Sequence, residues 1–185
     1  MDAALPSTLR PLLDIDVVIP SATTIDGIVD ELRAAIDPDA FVFGHSMNGA
    51  LALAVASRVP VRGVLAVAAP PVLPIAVPPD GRRWFDRDRD TSSLDALMET
   101  RLEWVMDVFA TAGSFDWDAA RAAIDAPVLL VLGAHDGVVP PAMWPDARGV
   151  RDLTKVTVDR SAHTPFVEEP DAFVDAVSTW LSSYD

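Results

Sequence analysis

The chain contains no cysteine, only three histidines, and half as many basic as acidic residues, 14 Lys and Arg against 28 Asp and Glu. Without cysteine there is no disulfide and no thiolate nucleophile, a composition that suits the cytoplasm. Three histidines and no H-E-x-x-H pair give a zinc site little to build on. A net charge of −14 works against nucleic acid, which rewards clustered Lys and Arg, and argues for solubility more than for any substrate. Long apolar runs are missing too. Val61–Ala69 and Pro127–Leu132 are too short to span a bilayer, and the first residues show neither the basic start nor the apolar core of a signal peptide. No internal repeat is visible. What the chain has in quantity is apolar side chains, 50% of 185 positions, which is enough for one compact domain with a sizeable core and short for two.

One stretch stands out within that background: Phe41-Val42-Phe43-Gly44-His45-Ser46-Met47-Asn48-Gly49-Ala50-Leu51. An apolar run with strand character reaches Gly44, bends through Ser46 and re-emerges as an Ala/Leu-rich helix. That is the layout of a nucleophile elbow, in which a serine sits on a tight strand-to-helix turn with its hydroxyl exposed. Small residues are needed around it because the helix packs close to the strand it has just left. Gly44 meets that need before Ser46; Asn48 stands where glycine is usual, and Gly49 follows. Alone, a G-x-S turn is more often a harmless loop than a catalyst.

A serine nucleophile needs a base to take its proton and a carboxylate to orient that base. His45 lies inside the elbow, where its side chain should point away from the hydroxyl and pack or hydrogen-bond structurally. His135 abuts the candidate acid. That leaves His163, in Ser161-Ala162-His163-Thr164-Pro165-Phe166, between an alternating segment, Leu153–Asp159, and a helix beginning at Pro170. The acid candidate is Asp136. Val128-Leu129-Leu130-Val131-Leu132-Gly133 reads as a buried parallel strand, and Gly133-Ala134-His135-Asp136-Gly137 as the turn that lifts Asp136 above the carboxyl edge of a sheet. A plain Asp-Gly turn is the competing reading. The strand over Gly63–Ala69 ends in Ala-Ala-Pro-Pro-Val and offers no carboxylate.

Taken together, these segments resemble the alpha/beta hydrolase superfamily from about Leu9 onward. Gly44-His45-Ser46-Met47 is similar to that family's elbow and Gly133-Ala134-His135-Asp136 to its acid turn. Ser161–Phe166 followed by Glu169-Pro170-Asp171-Ala172-Phe173 is similar to its histidine loop and terminal helix. The resemblance implies Ser46 as nucleophile, His163 as general base and then acid, Asp136 as the orienting carboxylate, and the Met47 backbone N–H as one oxyanion donor. It implies hydrolysis of a carboxylic ester or thioester through an acyl-enzyme. No metal or organic cofactor is called for. The same triad also serves thioesterases, acyltransferases and cofactor-free perhydrolases.

The family pattern is departed from at the front. Only 45 residues precede Ser46, and no His-Gly pair that could supply a second oxyanion N–H occurs among them. Residues 6–13 read as a short helix, Asp16–Pro20 as a strand, and Thr24–Ile36 as a helix with Ile25, Ile28, Val29, Leu32 and Ile36 on one face and Thr24 as cap. This resembles the family's pre-elbow region with its first strands and oxyanion loop cut away. Three accounts stay open: a fragment or misplaced start, a minimal hydrolase whose hole is completed by Ser21–Thr23 or the first few residues, and an inactive copy.

Between the elbow and the acid turn, residues 70–114 differ in character. A proline-rich stretch, 70–79, leads into the mixed-charge run 80–90, read as a solvated loop in which Trp84 and Phe85 fold back onto the protein. Ser93–Ala110 then carries Leu94, Leu97, Met98, Leu102, Val105, Met106 and Phe109 at helical spacing, read as an amphipathic helix packed on the core. The resemblance makes 70–114 a small cap over the serine that favours medium-sized hydrophobic acyl groups.

The expected architecture is a single α/β domain over 1–185 with about five mostly parallel strands, Asp16–Pro20, Phe41–Phe43, Gly63–Ala68, Val128–Leu132 and Thr154–Asp159, and helices on both faces. The expected partner is a small-molecule ester or thioester.

Overall fold

The computed structural model describes residues 8–12, 14–75 and 92–184, with the backbone alone for 92–101. The proline-rich and charged stretch of 76–91, with Trp84 and Phe85, lies outside the described residues.

Four strands form one parallel sheet: β1 (Phe41–His45), β2 (Gly63–Val67), β3 (Val128–Gly133) and β4 (Leu153–Val158), hydrogen-bonded in that order. Gly44 lies opposite Ala66, Leu65 opposite Leu129, and Val131 opposite Val156. Every residue of β2 and β3 is buried, as continuous apolar runs in the middle of a parallel sheet require. Side chains alternate between the two faces of a strand. Val64, Ala66, Val128, Leu130 and Leu132 accordingly pack with Ala52, Leu53 and Trp144 on one face. Leu65, Val67, Leu129 and Val131 pack with Phe166, Phe173, Val177 and Trp180 on the other.

The helices that cover these faces follow from local sequence. Thr24 caps α1 (Ile25–Arg33), its hydroxyl accepting from the Gly27 N–H at 3.1 Å, and the apolar stripe Ile25, Ile28, Val29 is buried. α2 (Met47–Ala56) is apolar on all sides and is buried from Gly49 to Ala56, because one flank meets the sheet while another meets α1 and α3 (Ser92–Ala112). The short α4 (Trp117–Ala122) is capped by Asp116, which accepts from the Ala119 N–H. Two helices end the fold, α5 (Pro165–Glu168) and α6 (Pro170–Leu181), both with proline in the first turn.

The strand expected over Asp16–Pro20 is not present. The segment has no assigned secondary structure, and Val17, Val18 and Ile19 are 46%, 44% and 57% exposed. A strand needs a ladder partner, and β1 pairs only with β2 among the described residues. Of the helix expected over 6–13, the described residues 8–12 form a helical turn in which the Leu12 N–H donates to Leu9 O.

Candidate active site

The end of β1 is shaped by close contact. A Cβ on Gly44 would fall 2.2 Å from the carbonyl oxygen of Asn48, and one on Gly49 would fall 2.6 Å from the Ala69 Cβ. Glycine is therefore required at 44 and 49. Asn48 itself is exposed, so a side chain fits where the sequence departs from the usual glycine. Between them Ser46 takes φ 56° and ψ −125°, a conformation side chains rarely adopt. Its N–H donates to Val67 O at 2.8 Å, which anchors the turn to β2.

Ser46 occupies the N-cap position of α2, yet its hydroxyl makes no capping bond. Its Oγ lies instead 2.9 Å from His163 Nε2. The N–H groups of Gly49 and Ala50 reach Ser46 O, whereas a helix leaves those of its first two residues, Met47 and Asn48, without an intrahelical acceptor.

Asp136 follows β3 and is 3% exposed. Its two oxygens divide the work. Oδ1 accepts from the Val138 and Val139 N–H groups, both at 2.8 Å, which builds the turn. Oδ2 lies 2.8 Å from His163 Nδ1. Burial alone would raise this carboxyl's pKa; the bond and charge of His163, together with the two backbone N–H groups, outweigh it and hold the pKa below the usual range. An ionised carboxylate only accepts, so Nδ1 donates to it, and the neutral ring presents Nε2 as acceptor toward the Ser46 hydroxyl.

The His163 loop is fully buried and braced from several directions. A Cβ on Gly133 would fall 1.8 Å from Ala162 O, so β3 and this loop approach each other as only glycine allows. The His135 N–H donates to Ser161 O at 2.9 Å. Glu168 is buried, and its Oε2 accepts from the Ala162 N–H (2.9 Å), Thr164 N–H (3.2 Å), Ser161 Oγ (3.1 Å) and Thr164 Oγ1 (3.3 Å). Sequence reasoning passed over Glu168. The signal available was a glutamate five residues after His163 at the end of a proline-initiated turn.

His45 hydrogen-bonds structurally, its Nε2 lying 2.7 Å from His163 O. His135 is exposed and takes no part. Of Ser21–Thr23, the Ser21 and Ala22 N–H groups donate to Glu31, whose carboxyl pKa is lowered by the Ser21 hydroxyl and these N–H groups. They are thus committed elsewhere than to an oxyanion. No group of His, Cys, Asp and Glu among the described residues has the makings of a metal site, and no described helix is long and apolar enough to cross a membrane.

An apolar cluster reaches the elbow from above α2. Met47, Leu73, Trp104, Val108, Phe109 and Trp117 share it, and α3 is pinned by Trp104 Nε1 donating to Ala22 O and Thr111 Oγ1 to Thr23 O.

Comparison with known proteins agrees with this architecture. The chain is 32% identical over 62 residues to a pimeloyl-[acyl-carrier protein] methyl ester esterase of Shewanella sp. (strain MR-7), a match covering 34% of this chain and 24% of that protein. It is 30% identical over 76 residues to the Serratia marcescens protein of the same name, covering 37% and 28%. The matched part is thus about a quarter of these relatives' length. Among solved structures, a proline iminopeptidase of Mycobacterium smegmatis superposes with a TM-score of 0.73 at 17% identity, over 98% of this chain and 85% of that one. An esterase of Exiguobacterium antarcticum gives 0.73 at 12% identity, over 97% and 87%. At these identities the structural likeness concerns the fold. The model of the alpha/beta hydrolase family matches residues 5–176, and the chain belongs to that family.

Proposed function

We propose that this protein is a serine hydrolase of carboxylic esters or thioesters, with Ser46 as nucleophile, His163 as proton carrier and Asp136 as the carboxylate that orients it. The observation that carries the reading is the hydrogen-bonded chain Ser46 Oγ–His163 Nε2 and His163 Nδ1–Asp136 Oδ2, at 2.9 and 2.8 Å, built from three separate strand ends. The esterase names of the partial relatives favour the same reaction class.

In this mechanism Ser46 Oγ attacks the carbonyl carbon as its proton passes to His163 Nε2. The Met47 N–H meets the oxyanion at the start of α2, where an N–H without an intrahelical acceptor and the helix dipole both favour negative charge. The tetrahedral intermediate collapses, the C–O or C–S bond breaks, and His163 gives its proton to the leaving alcohol or thiol. Water then adds to the acyl-enzyme, losing its proton to the same nitrogen; the bond to Ser46 Oγ breaks as His163 returns that proton to it, and the acid is released. Asp136 stays ionised and stabilises the imidazolium. The second oxyanion donor comes from elsewhere than Ser21 or Ala22.

Residues 70–75 and 92–114, the described parts of the segment 70–114, act as a cap in this reading. Met47, next to the nucleophile, belongs to the apolar cluster that α3 closes, which favours a hydrophobic acyl group on a small ester. Activity should rise from acetyl to medium-chain esters; a preference for acetyl or charged acyl groups would remove the cap from the proposal. The chain has no cysteine, a composition that suits the cytoplasm, where this reading places its action.

The direct test is intact-mass detection of fluorophosphonate labelling on the parent and on Ser46→Ala. A single adduct, lost in the variant, supports the reading. A folded parent that takes no label points instead to an inactive relative of the hydrolases.

A further inference from the structure

One polar side chain beside these groups has no place in the proton path. His45 is the last residue of β1 and the covalent neighbour of Ser46. Its Nε2 is 2.7 Å from the backbone oxygen of His163. A carbonyl only accepts, so this nitrogen carries a hydrogen and donates. That nitrogen is therefore committed to the carbonyl as a donor and is not the one that takes the serine proton.

We propose that His45 is a positioning residue that sets the base against the nucleophile, by tying the main chain of His163 to the strand that carries Ser46. The proposal rests on the serine-hydrolase reading above. The geometry is a closed loop of contacts: residues 45 and 46 are joined by a peptide bond, Ser46 Oγ meets His163 Nε2, and His163 O meets His45 Nε2. Asp136 fixes Nδ1 of the His163 ring, and the two bonds to residues 45 and 46 add a restraint from β1. Made by successive residues to opposite ends of one histidine, they hold its main chain and its Nε2 to the same strand end. Glu168 and Asp136 brace His163 from residues that follow β3 and β4, whereas His45 links it across 118 positions to β1.

Packing holds the link in place. The His45 ring lies against His163, with centroids 4.8 Å apart and planes at 54°, and against the edge of Phe166 at 5.1 Å and 80°. Phe166 belongs to the core beneath the sheet, so His45 has little room to swing out. Removal from water, with His163 alongside, pushes the His45 pKa down to about 3. The ring thus remains an uncharged donor while its neighbour gains and loses a proton.

Three variants test this. His45→Leu keeps bulk and removes the donor, His45→Asn carries an amide too short to reach the carbonyl, and His45→Gln returns an N–H near the Nε2 position. Fluorophosphonate labelling rates, kcat and KM on a p-nitrophenyl ester, and thermal melts would be measured for each beside the parent and Ser46→Ala. Displacing a reacting group by about 1 Å costs on the order of 100-fold, so Leu and Asn should lower the labelling rate and kcat roughly 10- to 100-fold with KM little changed. Gln should recover most of the rate while melting like the other variants. If Leu does not fold, Asn against Gln makes the same comparison. Folded Leu or Asn variants reacting at the parental rate would overturn the proposal and leave the serine-hydrolase reading intact, as would a Gln variant no faster than they are. A parent labelled no differently from Ser46→Ala would overturn both.

Discussion

Two carboxylates in this protein perform the same local task in opposite surroundings. Glu168 gathers the N–H and hydroxyl groups of Ser161, Ala162 and Thr164 around His163, inside the protein. Glu31 gathers the N–H groups of Ser21 and Ala22 and the Ser21 hydroxyl at the surface, in the segment leading into α1. The inventory of bonds is similar; the energetic weight is not. A buried donor stripped of its acceptor bears its full desolvation cost, about 1–3 kcal/mol, whereas an exposed one turns to water. The His163 loop is thus held by bonds it cannot replace, and the front segment by bonds that water can replace.

That contrast can be broken most forcefully at Gly133. Ala at this position drives a Cβ into Ala162 O, so Gly133→Ala should either fail to fold or lose about 3 kcal/mol or more, with labelling of Ser46 falling alongside it in a urea melt and a mass assay. Next comes Glu168→Ala. It leaves the buried Ala162 and Thr164 N–H groups without this acceptor, and a loss of about 2–4 kcal/mol with slower Ser46 labelling is expected from melts and labelling rates.

Acid sharpens the comparison further. Folded His45 stays neutral down to about pH 3, while the unfolded ring protonates near its usual 6.5. Between these values the unfolded chain holds a proton that the folded one lacks, so stability declines as pH falls through that window, by up to about 1.4 kcal/mol per pH unit. His163 and Asp136 face the same ring. Asp136, held below its usual pKa, adds a loss of the same sign at more acid pH. Urea melts from pH 7 to 4 should show a flatter decline for His45→Gln than for the parent. The smallest effect is reserved for Glu31→Ala. Its melting temperature should stay close to parental and its labelling rate unchanged; a drop rivalling that of Glu168→Ala would erase the distinction drawn between the two clamps.

Much of this layout could be read in the sequence, for identifiable reasons. Ser46 and Asp136 each follow an apolar run that stops near a glycine, and His163 lies between an alternating strand and a proline that starts a helix; such punctuation is local information. Thr24 as a cap and Pro170 as a helix start are local as well. Asp16–Pro20 shows the limit of that method. Its Val-Val-Ile core has strand character, but pairing depends on a neighbour, and none of the described strands lies beside it. Glu168 and the His45 link were illegible for a related reason. What they do is defined by a loop folded back in three dimensions, in the case of His45 by an acceptor 118 positions away. The commitment of Ser21 and Ala22 to Glu31 likewise required coordinates.

Ser46 itself carries a conformational debt. Its φ of 56° lies where a Cβ is unwelcome, at a cost of order 1–3 kcal/mol, which the surrounding glycines and the bond to Val67 sustain. Replacing Ser46 with glycine should therefore yield a protein that is inert and, after glycine's own entropic cost of roughly 0.5–1 kcal/mol, as stable as the parent or more so. If the proposed role of Ser46 holds, this one position sets activity against stability.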